Sequence, residues 1–271
     1  MIITNTVNLD QNNLIYLYCL TASPYVQINL TEDLNIYSIE SNRLFITVKN
    51  VSENEFSEDN IKKNLSNEAW LDKQVRDHIS VIGKIMETET VLPFNFGTIY
   101  KSEESLKQFV DKYHVDFFKT LKYLENKEEW SVKIYCDKIK IIENISILSK
   151  NISDIESQII SSSPGKSYIL GKKKNEIIAK EINDIYNSCS RQIFTKLKTV
   201  GEEYRLNTLL SNDVSGRDED MIVNATFLIK NENIENLENI SDQLIIEYKN
   251  IGLILELTGP WPPYTFIKLT N

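Results

Sequence analysis

The sequence predicts an α+β fold in two domains. The chain has 271 residues, 41% of them hydrophobic, and at about 150 residues per domain this length predicts two domains. A short charged stretch at 125–128 suggests the boundary, so we place the domains at 1–126 and 127–271. In the second domain the predicted order is strand, helical excursion, strand, strand, helix, strand. That is the βαββαβ order of a ferredoxin-like domain.

The first domain opens with a strand at residues 14–20, which is apolar throughout and therefore predicted to be buried on both faces. Two strand-type runs on either side of residues 41–42 predict a hairpin. The acidic residues 52–60 predict a loop. A helix is predicted from about Asn67 to Glu87. Its apolar positions recur at helical steps of four and three: Leu71, Val75, Ile79, Ile82 and Met86.

The rest of the first domain is predicted as an extended segment and a second helix. Residues 91–100 contain Pro93 and Gly97, which favour an extended chain with a turn. A helix begins after Ser102, and its apolar positions continue to Leu124. Glutamates in its first turn suit the positive end of the helix dipole.

The second domain is predicted to carry an antiparallel helical hairpin over about residues 138–200, inserted at the first helix of the ferredoxin-like pattern. After a strand at 129–136, isoleucines and leucines repeat every three or four residues along two separate helices. The first seam contains Ile141, Ile145, Leu148, Ile152, Ile155 and Ile159. The second contains Ile178, Ile182, Ile185, Cys189, Ile193, Leu197 and Val200.

Four further elements complete the second domain. Strands are predicted at 203–210 and 221–229, with a polar turn at 211–220 between them. A helix over about 234–249 and a strand at 251–257 follow, before a tail that ends in GPWPPYTF.

The charge and cysteine content exclude several classes of function. The net charge is −9, and an acidic chain is a poor partner for nucleic acid, whose binding depends on lysine and arginine. Three widely spaced cysteines without a C-x-x-C pair do not predict a zinc or redox site. The chain shows no secretory leader pattern and no long apolar run, so we predict a cytoplasmic protein without a membrane span.

The segment SSSPGKS at 161–167 ends like a phosphate-binding loop, which would imply an ATP-dependent enzyme. The motif G-x-x-x-x-G-K-[ST] requires glycine at position 160, where this chain has Ile160, and it requires a preceding strand. The segment instead follows a heptad-patterned helix. Ser163 suits a helix N-cap and Pro164 suits the first helical position, so the sequence predicts the turn of the hairpin.

No residue stands out as catalytic, and neither a metal nor another cofactor is predicted. His78 and His114 are the two histidines, and each is predicted on a helix as a half-buried, hydrogen-bonded side chain rather than a general base. The acidic turn from Asp213 to Asp220 lacks the spacing of an EF-hand loop and is predicted to be solvated.

The tail ELTGPWPPYTF at 256–266 allows two interpretations. One is a rigid corner that packs Trp261 over a domain core. The other is an aromatic contact surface, because aromatic side chains on a stiff backbone lose little entropy on binding. The candidate partner-contact residues are Trp261, Pro262, Pro263 and Tyr264.

Several segments resemble the gas vesicle protein F/L family, in family order from about residue 14 to residue 266. The most specific are GPWPP in the tail and VLPFNFGT at 91–98. The others are RDHISVI at 76–82, EWSVKIY at 129–135, PGKSYILGKKK at 164–174 and MIVNATFLI at 221–229. Asn95 replaces a residue that is usually basic in the family, and Ser131 replaces a usual glycine. The motifs fit both the F and the L members.

The resemblance implies a non-enzymatic accessory protein of gas vesicle formation, located in the cytoplasm and at the gas vesicle. Its implied partners are the hydrophobic major shell protein and other accessory proteins. It would act during nucleation or assembly, or as a minor vesicle component. The resemblance brings no cofactor and no catalytic residue. The alternatives are an ATP-dependent assembly enzyme that uses SSSPGKS, and an RNA-binding ferredoxin-like module, which the acidic charge disfavours.

Overall fold

The computed structural model describes residues 13–24 and 35–268, and these residues form two compact units. The first unit contains the described residues up to Asn126 together with residues 262–268, and the second unit is Lys127–Trp261. Both units combine helices with a β-sheet, which confirms the α+β class. The sequence-based division, which assigned all of residues 127–271 to the second domain, differs at the C-terminal segment. Residues 262–268 pack with the first unit because they carry apolar side chains that its core accommodates.

The sheet of the first unit has its strands in the order β2-β3-β1-β4, with β5 also paired to β1. The strands are β1 Asn13–Thr21, β2 Ile36–Ser41, β3 Leu44–Ser52, β4 Val91–Pro93 and β5 Ile99–Tyr100. These strands pair antiparallel to one another. The predicted hairpin is confirmed, with its two-residue turn at Asn42 and Arg43, which have φ of 48° and 64° as such a turn requires.

The helices of the first unit are α1 Glu53–Phe56, α2 Glu58–Asn64, α3 Glu68–Met86 and α4 Glu103–Leu124. The predictions of helices α3 and α4 are confirmed. The structure adds an N-cap at Asn67 and a capping box between Ser102 and Ser105. The loop predicted at 52–60 is wrong. Ser52 accepts a hydrogen bond from the Asn54 amide and Phe56 is buried, so this acidic stretch folds into two short helices.

Strand β1 is buried on both faces, as its unbroken apolar run predicts. Because successive side chains alternate across a strand, Leu17 packs with residues of α4 such as Phe117 on one face. Tyr16 and Tyr18 pack with residues of α3 such as Ile82 on the other. The sheet of the first unit is therefore covered by α4 on one side and by α3 on the other.

The sheet of the second unit has four antiparallel strands in the order β7-β8-β6-β9. The strands are β6 Lys127–Cys136, β7 Gly201–Leu206, β8 Asp220–Lys230 and β9 Leu253–Trp261. The strand predicted at 203–210 ends early, at Leu206, and the chain leaves the sheet there. The predicted strands at 129–136 and 221–229 are confirmed.

The helices of the second unit are α5 Lys138–Glu143, α6 Ile145–Leu148, α7 Lys150–Ile160, α8 Pro164–Lys198, α9 Asn212–Ser215 and α10 Ile234–Tyr248. The polar turn at 211–220 thus contains the short helix α9, which ends at Gly216 with a φ of 69°. The start of α8, with Ser163 as N-cap and Pro164 at the first helical position, is as predicted.

The first arm of the hairpin is not one helix, as predicted, but three. Asn144 and Ser149 interrupt it because their side chains bond nearby backbone groups. The Asn144 amide donates to the Lys140 carbonyl at 2.8 Å, and the Ser149 hydroxyl accepts from the Ile152 amide at 3.2 Å. The apolar seam nevertheless survives the breaks. Its buried members are Ile141, Ile145, Ile152 and Ile155 on the first arm, and Ile182, Ile185, Cys189, Ile193 and Leu197 on α8.

Candidate functional site

The tail begins in β9, which among the described strands is an edge strand that pairs with β6 alone. An edge position tolerates Pro260, because proline cannot donate a hydrogen bond to a neighbouring strand. At Gly259 a Cβ atom would lie 2.7 Å from Cδ2 of Trp130. The buried Trp130 ring therefore requires glycine at this position, and the ring nitrogen donates to Glu128 at 2.9 Å.

The four predicted contact residues lie on both sides of the unit boundary and differ in exposure. Trp261 ends β9 in the second unit and remains 39% exposed, with its Nε1 donating to the Thr258 hydroxyl at 3.2 Å. Pro262 and Pro263 are buried, and Tyr264 is half-buried. Of the four, Trp261 is thus the one that presents a large apolar side chain to solvent.

Tyr264 belongs to a buried polar cluster in the first unit, centred on His78 of α3. His78 is 3% exposed. Its Nδ1 lies 2.9 Å from the hydroxyl of Tyr16 on β1, and its Nε2 lies 2.9 Å from the hydroxyl of Tyr264. The same Nε2 lies 3.1 Å from the Phe94 carbonyl oxygen. His78 thus connects a helix, a strand and the C-terminal segment of this unit.

The partners of His78 determine its tautomer. The Phe94 carbonyl can only accept, so Nε2 carries the hydrogen and Nδ1 accepts from Tyr16. The Tyr16 oxygen in turn accepts from the Gly97 amide at 3.2 Å. Burial lowers the pKa of His78 to about 4, against 6.5 for a free histidine, although the bond to the Phe94 carbonyl raises it. His78 is therefore neutral at pH 7.

Aromatic rings surround the imidazole of His78. Tyr18 and Tyr264 stack on it with ring centroids at 5.5 Å and 6.5 Å, and Phe96 meets it edge-on at 6.0 Å. Burial also raises the pKa of the Tyr16 and Tyr18 hydroxyls. His78, Tyr16 and Tyr18 are therefore not poised to exchange a proton near neutral pH. The arrangement instead fixes the C-terminal segment to the core of the first unit.

Both histidines are hydrogen-bonded and His114 is half-buried, as predicted, but His78 is fully buried rather than half-buried. The Nδ1 of His114 lies 2.7 Å from the Asp111 carbonyl, within one turn of α4. The sequence did not reveal that Tyr16 and Tyr264 are the partners of His78. The signal for Tyr16 was a hydroxyl-bearing side chain in the middle of a fully buried strand, because such a hydroxyl needs a partner.

The SSSPGKS segment forms the hairpin turn and the first turn of α8. Helix α7 precedes it, and Gly165 lies inside α8 with no atom within 4 Å of a Cβ at that position. The Ser167 hydroxyl donates to the Ile159 carbonyl at 2.8 Å, which closes the turn. From Pro164 onward the backbone is helical, and the segment therefore lacks the strand-to-helix loop that binds phosphate.

In the acidic turn at 211–220, Arg217 and Glu219 form contacts within the fold. Arg217 lies 3.2 Å from a carboxylate oxygen of Glu219, forms an ion pair with Glu256, and stacks over the Tyr135 ring at 4.3 Å. In the described part of the chain no group of three His, Cys, Asp or Glu residues is arranged to hold a metal ion.

The family model described as "Gas vesicle synthesis protein GvpL/GvpF" matches residues 14–268. The chain belongs to the GvpL/GvpF family. This family consists of gas vesicle structural and accessory proteins and is not a known enzyme family. Membership associates the chain with gas vesicles, and it confirms the resemblance derived from the GPWPP and LPxxFGT motifs.

Curated relatives include both members of the family. The chain is 21% identical to gas vesicle protein L of Streptomyces sp. (strain CB03234), over 80% of this chain and 77% of that protein. It is 22% identical to gas vesicle protein F1 of Halobacterium salinarum, over 73% of this chain and 70% of that protein.

Solved structures share the fold. The crystal structure of GvpF from Anabaena sp. PCC7120 matches with a TM-score of 0.68 at 19% identity, covering 96% of this chain and 100% of that one. GvpF from Microcystis aeruginosa matches with a TM-score of 0.64 at 17% identity, covering 95% and 100%. Across the described residues, no helix combines the length and apolar character that a membrane crossing needs.

Proposed function

We propose that this protein is a non-enzymatic accessory protein of gas vesicle formation, acting in the cytoplasm and at the vesicle. It binds the hydrophobic major shell protein, other accessory proteins or both, during nucleation or assembly or as a minor vesicle component. The family match over residues 14–268 carries this proposal. A shell subunit with exposed apolar surface aggregates unless a partner covers that surface, and an acidic protein is suited to keep such a complex in solution.

The proposed architecture is a two-domain protein whose second domain is ferredoxin-like. The strand order β7-β8-β6-β9 supports it. In chain order this is second, third, first, fourth, with helices after the first and third strands. The helical hairpin occupies the position of the first of these helices.

We place the partner contact at Trp261. Its side chain is 39% exposed at the end of an edge strand, and the buried Pro262 and Pro263 that follow restrict the backbone. Tyr264 is half-buried, and its hydroxyl is bonded to His78 within the first unit. A partly exposed tryptophan on a restricted backbone is the kind of residue that contributes most to binding.

Co-expression with the major shell protein, followed by a pull-down on this chain, tests the proposal. Recovery of soluble shell protein, absent without this chain, supports it. If the folded chain recovers no shell protein, the pull-down is repeated with the whole set of vesicle proteins. Recovery of no partner in that experiment either would contradict the proposal. Micromolar binding of ATP and magnesium in calorimetry would revive the enzymatic alternative.

Trp261→Ala tests the contact separately. We expect a loss of about 2 kcal/mol or more in binding, typical of a central aromatic contact. Val214→Ala is the matched control, because Val214 is 70% exposed in the same unit. Unchanged recovery of the partner by folded Trp261→Ala would rule out this contact and leave the general function standing.

A further inference from the structure

The tip of the helical hairpin is a basic surface that also exposes apolar side chains. Residues 160–175 contain four lysines and no acidic residue, in a chain whose net charge is −9. Lys174 forms an ion pair with Glu156, whereas Lys166, Lys172 and Lys173 are exposed. We call the exposed residues Ile160, Lys166, Tyr168, Ile169, Lys172 and Lys173 the basic tip.

The apolar residues of the basic tip are not needed by the hairpin itself. Ile160, Tyr168 and Ile169 are 86%, 66% and 67% exposed. The helical period places Tyr168, Ile169 and the three exposed lysines on one side of α8. The seam that packs against the first arm occupies the opposite side, and it includes the half-buried Ile178. Within the described residues, the basic tip therefore presents mixed basic and apolar side chains to solvent. The Lys172 ammonium lies over the Tyr168 ring of the same surface at 4.9 Å.

Helix α10 carries a complementary surface. Residues 231–248 contain five acidic residues and no lysine or arginine. Glu247 is engaged at 2.7 Å with Lys196, whereas Glu235, Glu238 and Asp242 are exposed. Ile246 is 75% exposed, and the helical period places it on the same outer side of α10 as Glu235 and Asp242. We call Glu235, Glu238, Asp242, Ile245 and Ile246 the acidic face; Lys249 follows it, just beyond the helix end.

The basic tip cannot reach the acidic face of the same molecule. Helix α10 meets α8 near its C-terminal end, where the Tyr248 hydroxyl donates to Gln192 at 3.2 Å. From Lys166 to Gln192, α8 rises by roughly 40 Å at 1.5 Å per residue. Helix α10, with 15 residues, is about 22 Å long. A contact between these two surfaces must therefore join two molecules.

We propose that a second copy of this chain docks its basic tip on the acidic face, so that molecules associate head to tail. Because the two surfaces differ, each pair of molecules leaves one basic tip and one acidic face free. Further molecules can bind there, which generates open chains rather than closed dimers. Lysines meet carboxylates around a centre where Ile246 packs against Tyr168 and Ile169. The contact is small, so the association is weak and sensitive to salt. This inference goes beyond the proposed function and does not depend on it.

Sedimentation velocity tests the proposal on the full-length chain, from about 10 to about 500 μM protein and at about 50 and about 500 mM salt. We expect the sedimentation coefficient to rise with concentration at low salt and to stay at the monomer value at high salt. Monomers under all conditions would overturn the proposal. If the basic tip then carried the chain onto phosphatidylserine vesicles, its partner would be a lipid surface.

Charge reversal tests the pairing. The tip variant K166E/K172E/K173E and the face variant E235K/E238K/D242K should each remain monomeric, while an equimolar mixture of the two should associate again. The control K73E/K150E/K180E changes the net charge as the tip variant does, at exposed positions outside both surfaces, and should associate like the wild type. Loss of association in the control, or a mixture that stays monomeric, would overturn the pairing. Circular dichroism checks that each variant is folded.

The apolar centre has its own test. Ile246→Ser should weaken the association at least about tenfold. Ile139→Ser is the matched control, since Ile139 is 71% exposed on α5, outside both surfaces. Equal association of the two variants would contradict packing at Ile246.

Discussion

At the scale of single residues, His78 shows how burial changes the role of a titratable group. In solution a histidine serves as an acid or base near neutral pH. Here burial holds its pKa at about 4, and both ring nitrogens are used in hydrogen bonds to Tyr16 and to Phe94 and Tyr264. His78, which the sequence did not single out as catalytic, therefore acts as a neutral structural junction.

The pKa of His78 predicts a dependence of stability on pH. Between pH 6.5 and pH 4 the unfolded chain binds a proton at His78 that the folded chain does not, because the folded pKa is the lower one. The free energy of unfolding should therefore be unaffected by this residue above pH 6.5. It should fall by up to about 3 kcal/mol as the pH decreases to 4.

Urea unfolding at pH 7, 6, 5 and 4 measures this dependence. His78→Gln should be less stable than the wild type at pH 7 and should lose the His78 part of the slope. His114→Gln is the control for the substitution itself, because His114 bonds the Asp111 carbonyl within one turn of α4. A slope that is the same in His78→Gln as in the wild type would contradict the buried neutral histidine.

The sequence predicted only part of the candidate site, because one of its main contacts joins residues that are far apart in the chain. The tail stood out because proline and aromatic residues cluster there within a few positions. The bond that holds it joins His78 to Tyr264, which are 186 residues apart. No periodicity or composition in one chain reports a contact of that separation, so the role of Tyr264 became visible only in three dimensions.

At the scale of elements, hydrophobic periodicity predicted where apolar faces lie better than where helices end. The predicted apolar seam from Ile141 to Ile155 is buried as expected, yet the helix is interrupted at Asn144 and Ser149. Steps of three and four residues persist through a short break, so the pattern could not show it. Conversely, the acidic composition of residues 52–60 predicted a loop, although this stretch forms two short helices. The N-cap at Ser52 and the buried Phe56 stabilise the helical structure there.

The hydrogen bonds of Ser149, at the start of α7, predict that this residue stabilises the folded hairpin. Its hydroxyl caps α7 and also donates to Glu181 of α8, so it links the two arms of the hairpin. We expect Ser149→Ala to lower the free energy of unfolding by about 1–2 kcal/mol. Ser163→Ala is the matched control at the start of α8, where the serine makes no side-chain cap bond, and should change it by less than about 0.5 kcal/mol. Equal effects of the two substitutions in urea unfolding would contradict the linking role.

At the scale of the whole molecule, the chain returns to its first unit after completing the second. Residues 262–268 supply Tyr264 to the His78 cluster, and the Lys268 carbonyl accepts from the Thr120 hydroxyl at 2.9 Å. The local pattern of the tail gave no reason to separate it from β9, because the two are continuous in sequence. The assignment depends instead on which core accepts the side chains.

Because residues 262–268 pack with the first unit, we predict that they unfold together with that unit. Phe117 and Phe227 are both fully buried, the first against Phe94 and Phe109 in the first unit and the second in the core of the second unit. Replacing either with alanine should cost about 3–5 kcal/mol, and the loss should fall mainly on the unit that contains the cavity.

Hydrogen exchange followed by mass spectrometry distinguishes the two units. In Phe117→Ala, peptides from β1, α3, α4 and residues 262–268 should lose protection together, while β6 to β9 keep theirs. In Phe227→Ala the reverse should hold, and residues 262–268 should remain protected. If the C-terminal segment instead exchanged together with β9 in the Phe227→Ala variant, it would belong to the second unit. The hydrogen bonds at His78 and Thr120 would then contribute little to its stability.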